Sequence, residues 1–204
     1  MTRLLVLVLL LFGGSSHAAT VFYLHGKIVE DHGDNAVHPR YGAYEYSKIV
    51  SALERAGHTV VSEVRVPGTD RGRYAAKVIS SIKVLLRNGT PPQDIVVVGF
   101  SKGAQIAVLV SQQLANPDVR FVFQAVCGSW VSGQSELRVY GDILSLYESS
   151  DAAGSCEDLF QKSSASTCEI SLSTGLEHGA FYRPIPAWLD PQQRWIEEGA
   201  CDPG

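Results

Sequence analysis

One serine stands between two glycines in the run Gly99-Phe100-Ser101-Lys102-Gly103, after an apolar stretch at residues 95–98 and before a stretch with helical periodicity. In that setting glycines permit a turn tight enough to lift the hydroxyl to the N-terminus of the following helix, where backbone amides favour developing negative charge. The chemistry this suits is nucleophilic attack on an acyl carbon. A serine hydroxyl is a poor nucleophile at neutral pH, so it needs a base to take its proton and an acid to orient that base. Attack also creates an oxyanion, which needs two preorganised backbone donors. The five-residue pattern is short enough to arise by chance, so its weight comes from the elements around it.

Those elements alternate. Residues 21–24 are a short apolar run ending in His25-Gly26, and residues 59–66 are rich in valine, so both read as strands. Between them Tyr46, Ile49, Val50 and Leu53 recur at helical spacing until Gly57. Val78, Ile82, Leu85 and Leu86 then share a helical face that ends at Asn88-Gly89, and residues 95–98 form a strand with no polar alternation, which implies burial on both faces. Ile106, Leu109, Val110 and Leu114 mark the helix after Gly103, stopped by Asn116-Pro117 before a strand at 121–126. Two more strands are predicted at 143–147 and 168–172, with room for one short helix in 151–164. A closing helix is predicted to open at Asp190-Pro191, with Asp190 as its cap and Pro191 in its first position. The predicted fold class is α/β, with a mostly parallel central sheet and helices on both faces.

The N-terminus shapes the rest of the reading. Arg3 precedes an unbroken apolar run at residues 4–12, and then come the small residues of Gly13-Gly14-Ser15-Ser16-His17-Ala18. That order is a secretory signal peptide, predicted to cover residues 1–18 and to leave a single domain at 19–204. The run is too short to span a bilayer, so no stable membrane insertion is expected, and the protein is read as exported, to the periplasm or the extracellular space. The formal net charge is −4 and becomes −5 once Arg3 is removed, with both signs scattered, so nucleic acid is not an expected partner. A monomer is expected. The four cysteines would persist as disulfides after export. Three pairings are possible, and the preferred one joins Cys156 to Cys168 across a short loop and Cys127 to Cys201 at the tail.

From about residue 21 to its end the chain resembles the α/β-hydrolase superfamily, in particular its small exported members without a cap domain. The resemblance rests on the Gly99–Gly103 pentapeptide in its strand-to-helix setting and on His25-Gly26 after the first strand. It implies the chain order nucleophile, acid, base. The acid then falls after the strand at 143–147, on Asp151, with Glu148 and Asp142 as alternatives, and the base falls after the last strand, on His178. The resemblance likewise implies an oxyanion hole from the backbone amides of Lys102 and Lys27, with His25 supporting the loop. Between residues 126 and 143 there is too little chain for a helical cap, so the site is expected to be open to a small molecule or to an exposed acyl group on something larger. No cofactor is called for.

Several alternatives stay open at this stage. The activity is read as hydrolysis of a carboxylic ester through an acyl-enzyme. Acyl transfer, amidase or peptidase action on the same triad, and a non-catalytic binding protein of the same fold, are the competing readings. Lysines at both oxyanion positions leave two readings of their side chains: the commoner one is ordinary pairing with a carboxylate such as Glu30 or Asp31, or exposure to water, and the other directs the ammonium of Lys27 or Lys102 at anionic substrates. The polar run Glu30, Asp31, His32, Asp34 and His38 reads as a solvated loop, with no metal site expected. Tyr41, Tyr44 and Tyr46 follow it and could line a cleft, though helix core and rim is their commoner use.

Overall fold

The computed structural model describes residues 18–201, so all but the last residue of the signal segment predicted at 1–18 lies outside the described residues. Six parallel strands form the sheet: β1 (Thr20–Leu24), β4 (Thr59–Val61), β5 (Ile95–Phe100), β6 (Arg120–Gln124), β7 (Tyr140–Glu148) and β8 (Ser164–Leu172). Their spatial order is β4-β1-β5-β6-β7-β8. The chain therefore runs outward from β1 in one direction and from β5 in the other, and the crevice at that reversal is where open α/β sheets place their sites. A small antiparallel hairpin, β2 (Val37–His38) with β3 (Gly42–Ala43), stands beside the sheet.

Side chains alternate through the sheet into two cores. Tyr23, Val98, Val122, Leu144 and Ile170 face one layer, made by α2 (Tyr46–Arg55) and α7 (Pro186–Glu198), where Trp188 and Trp195 are buried. Phe22, Val97, Phe121, Phe123 and Ile143 face the other, made by α3 (Arg71–Arg87), α4 (Lys102–Leu114) and two short helices, α5 (Ser129–Ser132) and α6 (Glu157–Gln161). Every residue of β5 is buried, as its unbroken apolar run requires of a central parallel strand. Only α5 interrupts the connection from β6 to β7, so among the described residues no helical cap is inserted there.

Four sequence expectations need correction. The valine-rich run at 59–66 is a strand only as far as Val61. Ser62 Oγ then donates to Tyr23 O at 2.8 Å, and the Arg65 amide donates to the His25 side chain instead of to a ladder. The closing helix begins at Pro186, which fills the first helical position, and Pro191 lies inside it. Part of the polar run at 30–40 is helical, because α1 covers Lys27–His32.

The fourth correction is the disulfide pairing, which is Cys127–Cys156 and Cys168–Cys201. Cys168 packs in the core that contains α7, whereas Cys127 and Cys156 pack in the core on the opposite face. A Cys156–Cys168 bond would have to pass through the sheet. Two disulfides suit an exported protein. Among the described residues no helix is long and apolar enough to cross a membrane.

Candidate active site

Ser101 follows the last residue of β5 and is the N-cap of α4, with φ 53° and ψ −116°, a backbone conformation that costs energy for any residue with a Cβ. The surroundings hold it there. The Ser101 amide donates to Gln124 O at 2.9 Å, and the Ser101 carbonyl accepts from the Gln105 amide at 3.0 Å. The flanking glycines are required by close approach: a Cβ on Gly99 would lie 2.5 Å from Gly103 O, and one on Gly103 would lie 1.8 Å from Leu24 O. The turn therefore packs directly onto the end of β1.

That contact brings the loop after β1 to the serine. A Cβ on Gly26 would sit 2.9 Å from the Phe100 ring and 3.8 Å from Ser101 Cβ. Lys27 and Lys102 are the first residues of α1 and α4, so helix geometry leaves both backbone amides without an intrahelical acceptor. His25 is fully buried. Its Nε2 accepts from the Arg65 amide at 2.9 Å, which leaves the proton on Nδ1 to donate to Gly26 O at 2.8 Å. Burial, reinforced by the Arg65 charge, lowers its pKa to about 4, so it remains neutral and supports the loop.

Asp151 follows β7 and His178 lies in a 3-10 turn over Glu177–Tyr182 after β8. Asp151 Oδ2 is 2.6 Å from His178 Nδ1, and Oδ1 accepts from the Ala153 amide at 3.2 Å. An ionised carboxylate can only accept, so Nδ1 carries the proton and Nε2 is left as a bare acceptor. The His178 ring packs 4.8 Å from Phe100, centroid to centroid. Ser101 and His178 line one open cavity of about 300 Å³ together with Lys27, Ile28, Val37 and Pro39.

The alternative acids lie in other places. Asp142 sits at the opposite end of β7, 3.7 Å from Arg120 Nε. Glu148 is fully buried and accepts from the amides of Ser150, Thr174 and Gly175 at 2.7–3.0 Å, and from Ser150 Oγ. Burial alone would raise its pKa, but the hydrogen bonds from Ser150, Gly175 and Thr174 outweigh that and hold it below the usual carboxylate range. Glu148 thus clamps the loop that carries Asp151 to the loop that carries His178.

Both lysine side chains pair with a carboxylate, Lys102 with Glu30 and Lys27 with Asp31, as the ordinary reading has it. The Lys102 ammonium turns away from the cavity into a buried position, 2.5 Å from Glu30 Oε1 and 2.8 Å from Thr69 O. Lys27 does line the cavity, is largely exposed and pairs with Asp31. Tyr44 is buried with its hydroxyl 2.6 Å from that of Tyr23, and Tyr46 bonds Ser62. Tyr41 alone of the three tyrosines approaches the histidine, at 6.4 Å between centroids, with its hydroxyl donating to Glu177. Sequence reasoning missed the roles of Glu148, Glu30 and Arg65. A lone arginine in a valine run was the available signal for the last.

No family model matches the sequence, and no curated protein does. Solved structures do match in fold. An α/β hydrolase from a Medee basin deep-sea metagenome superposes with a TM-score of 0.59 at 13% identity, covering 90% of this chain and 85% of that one. A putative dienelactone hydrolase of Klebsiella pneumoniae gives 0.59 at 13%, covering 90% and 88%. A serine hydrolase of Xanthomonas campestris described as having no lid gives 0.54 at 14%, covering 89% and 80%. These likenesses establish the architecture: the chain has the α/β-hydrolase fold without a cap.

Proposed function

We propose that the protein is a serine hydrolase that cleaves a carboxylic ester or related acyl bond through an acyl-enzyme on Ser101. The observation that carries this reading is the 2.6 Å contact between Asp151 and His178, the latter lining the same cavity as the strained Ser101. His178 Nε2 takes the Ser101 proton as Oγ attacks the acyl carbon, and Asp151 offsets the imidazolium that forms. The tetrahedral oxyanion is received by the amides of Lys27 and Lys102. His178 returns its proton to the leaving alkoxide, and water then repeats the sequence on the acyl-enzyme.

The named hydrolases among the structural neighbours support the general class. The cavity supports small acyl groups: it is open, and Ile28, Val37, Pro39 and Phe100 give it an apolar wall. Turnover of a p-nitrophenyl ester series from acetate to laurate tests this. Hydrolysis with a pre-steady-state burst, fastest on the short acyl chains, is expected. No turnover of any ester by folded protein, or a rate rising steadily to laurate, would overturn it.

A further inference from the structure

Beneath the proposed oxyanion site lies a closed chain of buried polar groups that the reaction itself does not use. Lys102 turns its side chain into the body of the protein, where Nζ meets Glu30 Oε1 at 2.5 Å. Glu30 has no exposed side-chain surface; Oε1 also accepts from the Thr69 amide at 3.1 Å, and Oε2 lies 3.4 Å from Arg65 Nε. Arg65 is equally buried. Its Nη2 donates to His25 O and its amide to His25 Nε2, so it grips the residue immediately before Gly26.

The placement of these residues matters. Glu30 lies in α1, three residues after Lys27, and Lys102 is the first residue of α4. A six-residue helix such as α1 does not hold its own position, so its orientation must come from tertiary contacts. A buried ion pair is a weak source of net stability, since apolar replacements are often as good or better. A geometric role explains this pair where stability does not.

We propose that the Glu30–Lys102 ion pair, braced by Arg65, is a positioning device that fixes the spacing between the Lys27 and Lys102 amides and so sets the strength of oxyanion binding. This inference rests on the hydrolase reading above. It makes Glu30 and Lys102 positioning residues that act through the backbone and never touch substrate through their side chains.

The test uses the full mature chain, a short-chain p-nitrophenyl ester, and a trifluoromethyl ketone that needs the oxyanion site to bind. Glu30→Gln leaves the buried Lys102 ammonium and Arg65 guanidinium without a carboxylate, so both the melting temperature and kcat should fall. Glu30→Gln/Lys102→Met removes that ammonium and restores the net charge of the cluster, with the Gln carbonyl still available to Arg65 and Thr69. Its melting temperature should return towards wild type. Its kcat should nevertheless stay about 10–100-fold low with KM within about 3-fold, and ketone affinity should fall in parallel. If kcat recovers along with the melting temperature, or if the loss is in KM alone, the pair is only structural and the proposal is wrong. Wild-type turnover separates the two failures: an inactive wild type overturns the hydrolase reading and this inference with it, whereas an active wild type with a fully active double variant overturns this inference alone.

Discussion

Asp151→Asn should cost about three to four orders of magnitude in kcat/KM. In the folded protein Asp151 Oδ2 is 2.6 Å from His178 Nδ1, and only about 9% of the Asp151 side chain is exposed. The attraction between that carboxylate and a full imidazolium at an effective dielectric of about 20 is roughly 6 kcal/mol. The His178 side chain is 26% exposed, so solvent trims this figure to about 4–5.5 kcal/mol. At about 1.36 kcal/mol per decade, that gives about 10³–10⁴-fold, close to the roughly 10⁴-fold that the loss of a triad acid's charge produces elsewhere. The cause is electronic as well as electrostatic. An asparagine amide donating to Nδ1 would move the ring proton to Nε2, where the Ser101 proton must go. The variant keeps a carbonyl for the Ala153 amide, so the fold should persist, checked by an unchanged melting temperature. Steady-state ester hydrolysis measures the effect. A loss of less than about 10-fold in folded protein would remove Asp151 from the role of acid.

Three further outcomes follow from the geometry. Glu148→Gln should cost about 2–3 kcal/mol in urea unfolding at pH 7, since an amide can serve only part of the donor set that the carboxylate serves. Because the Glu148 pKa is depressed by folding, its contribution is complete above its unfolded value of 4.5 and is lost as pH falls through the folded value, so the variant should also show a flatter acid limb of stability. An unchanged limb would contradict the clamp. His25 is held neutral with its pKa lowered from 6.5 to about 4, so the unfolded chain binds the proton more readily in that window and stability must rise with pH across it. The rise should be about 3 kcal/mol between pH 4 and 6.5 and should be reduced in His25→Gln; identical slopes for the two proteins would contradict this. Non-reducing peptide mapping should recover Cys127 linked to Cys156 and Cys168 linked to Cys201, each closing a loop worth about 3.5 kcal/mol of chain entropy, and any Cys156–Cys168 peptide would refute the pairing.

The layered α/β fold was legible because parallel strands buried on both faces write unbroken apolar runs, as residues 95–98 do, and because helix stops such as Asn88-Gly89 and Asn116-Pro117 are local. The tight turn that carries Ser101 was legible for the same reason: strand, glycines and helix are contiguous. Side-chain partnerships across the sheet were not. The disulfide pairing depends on which face of the sheet each cysteine occupies, and β8 had to be placed before Cys168 could be assigned a face. Glu30 looked like one acid in a solvated run, yet it is buried because α1 turns it towards Arg65 and Lys102, residues 35 and 72 positions away. Glu148 was weighed as an acid because its distance from the strand end fits one. Only the amides of Thr174 and Gly175, from another loop, show that its lone pairs are already in use.

The proposed hydrolysis requires Ser101 to be the nucleophile. Incubating the folded protein with a fluorophosphonate and measuring intact mass, followed by peptide mapping, tests it most directly. One adduct per chain is expected, on the peptide carrying Ser101, and none in Ser101→Ala of the same melting temperature. Folded protein that stays unlabelled, or an adduct that persists in Ser101→Ala, would contradict it.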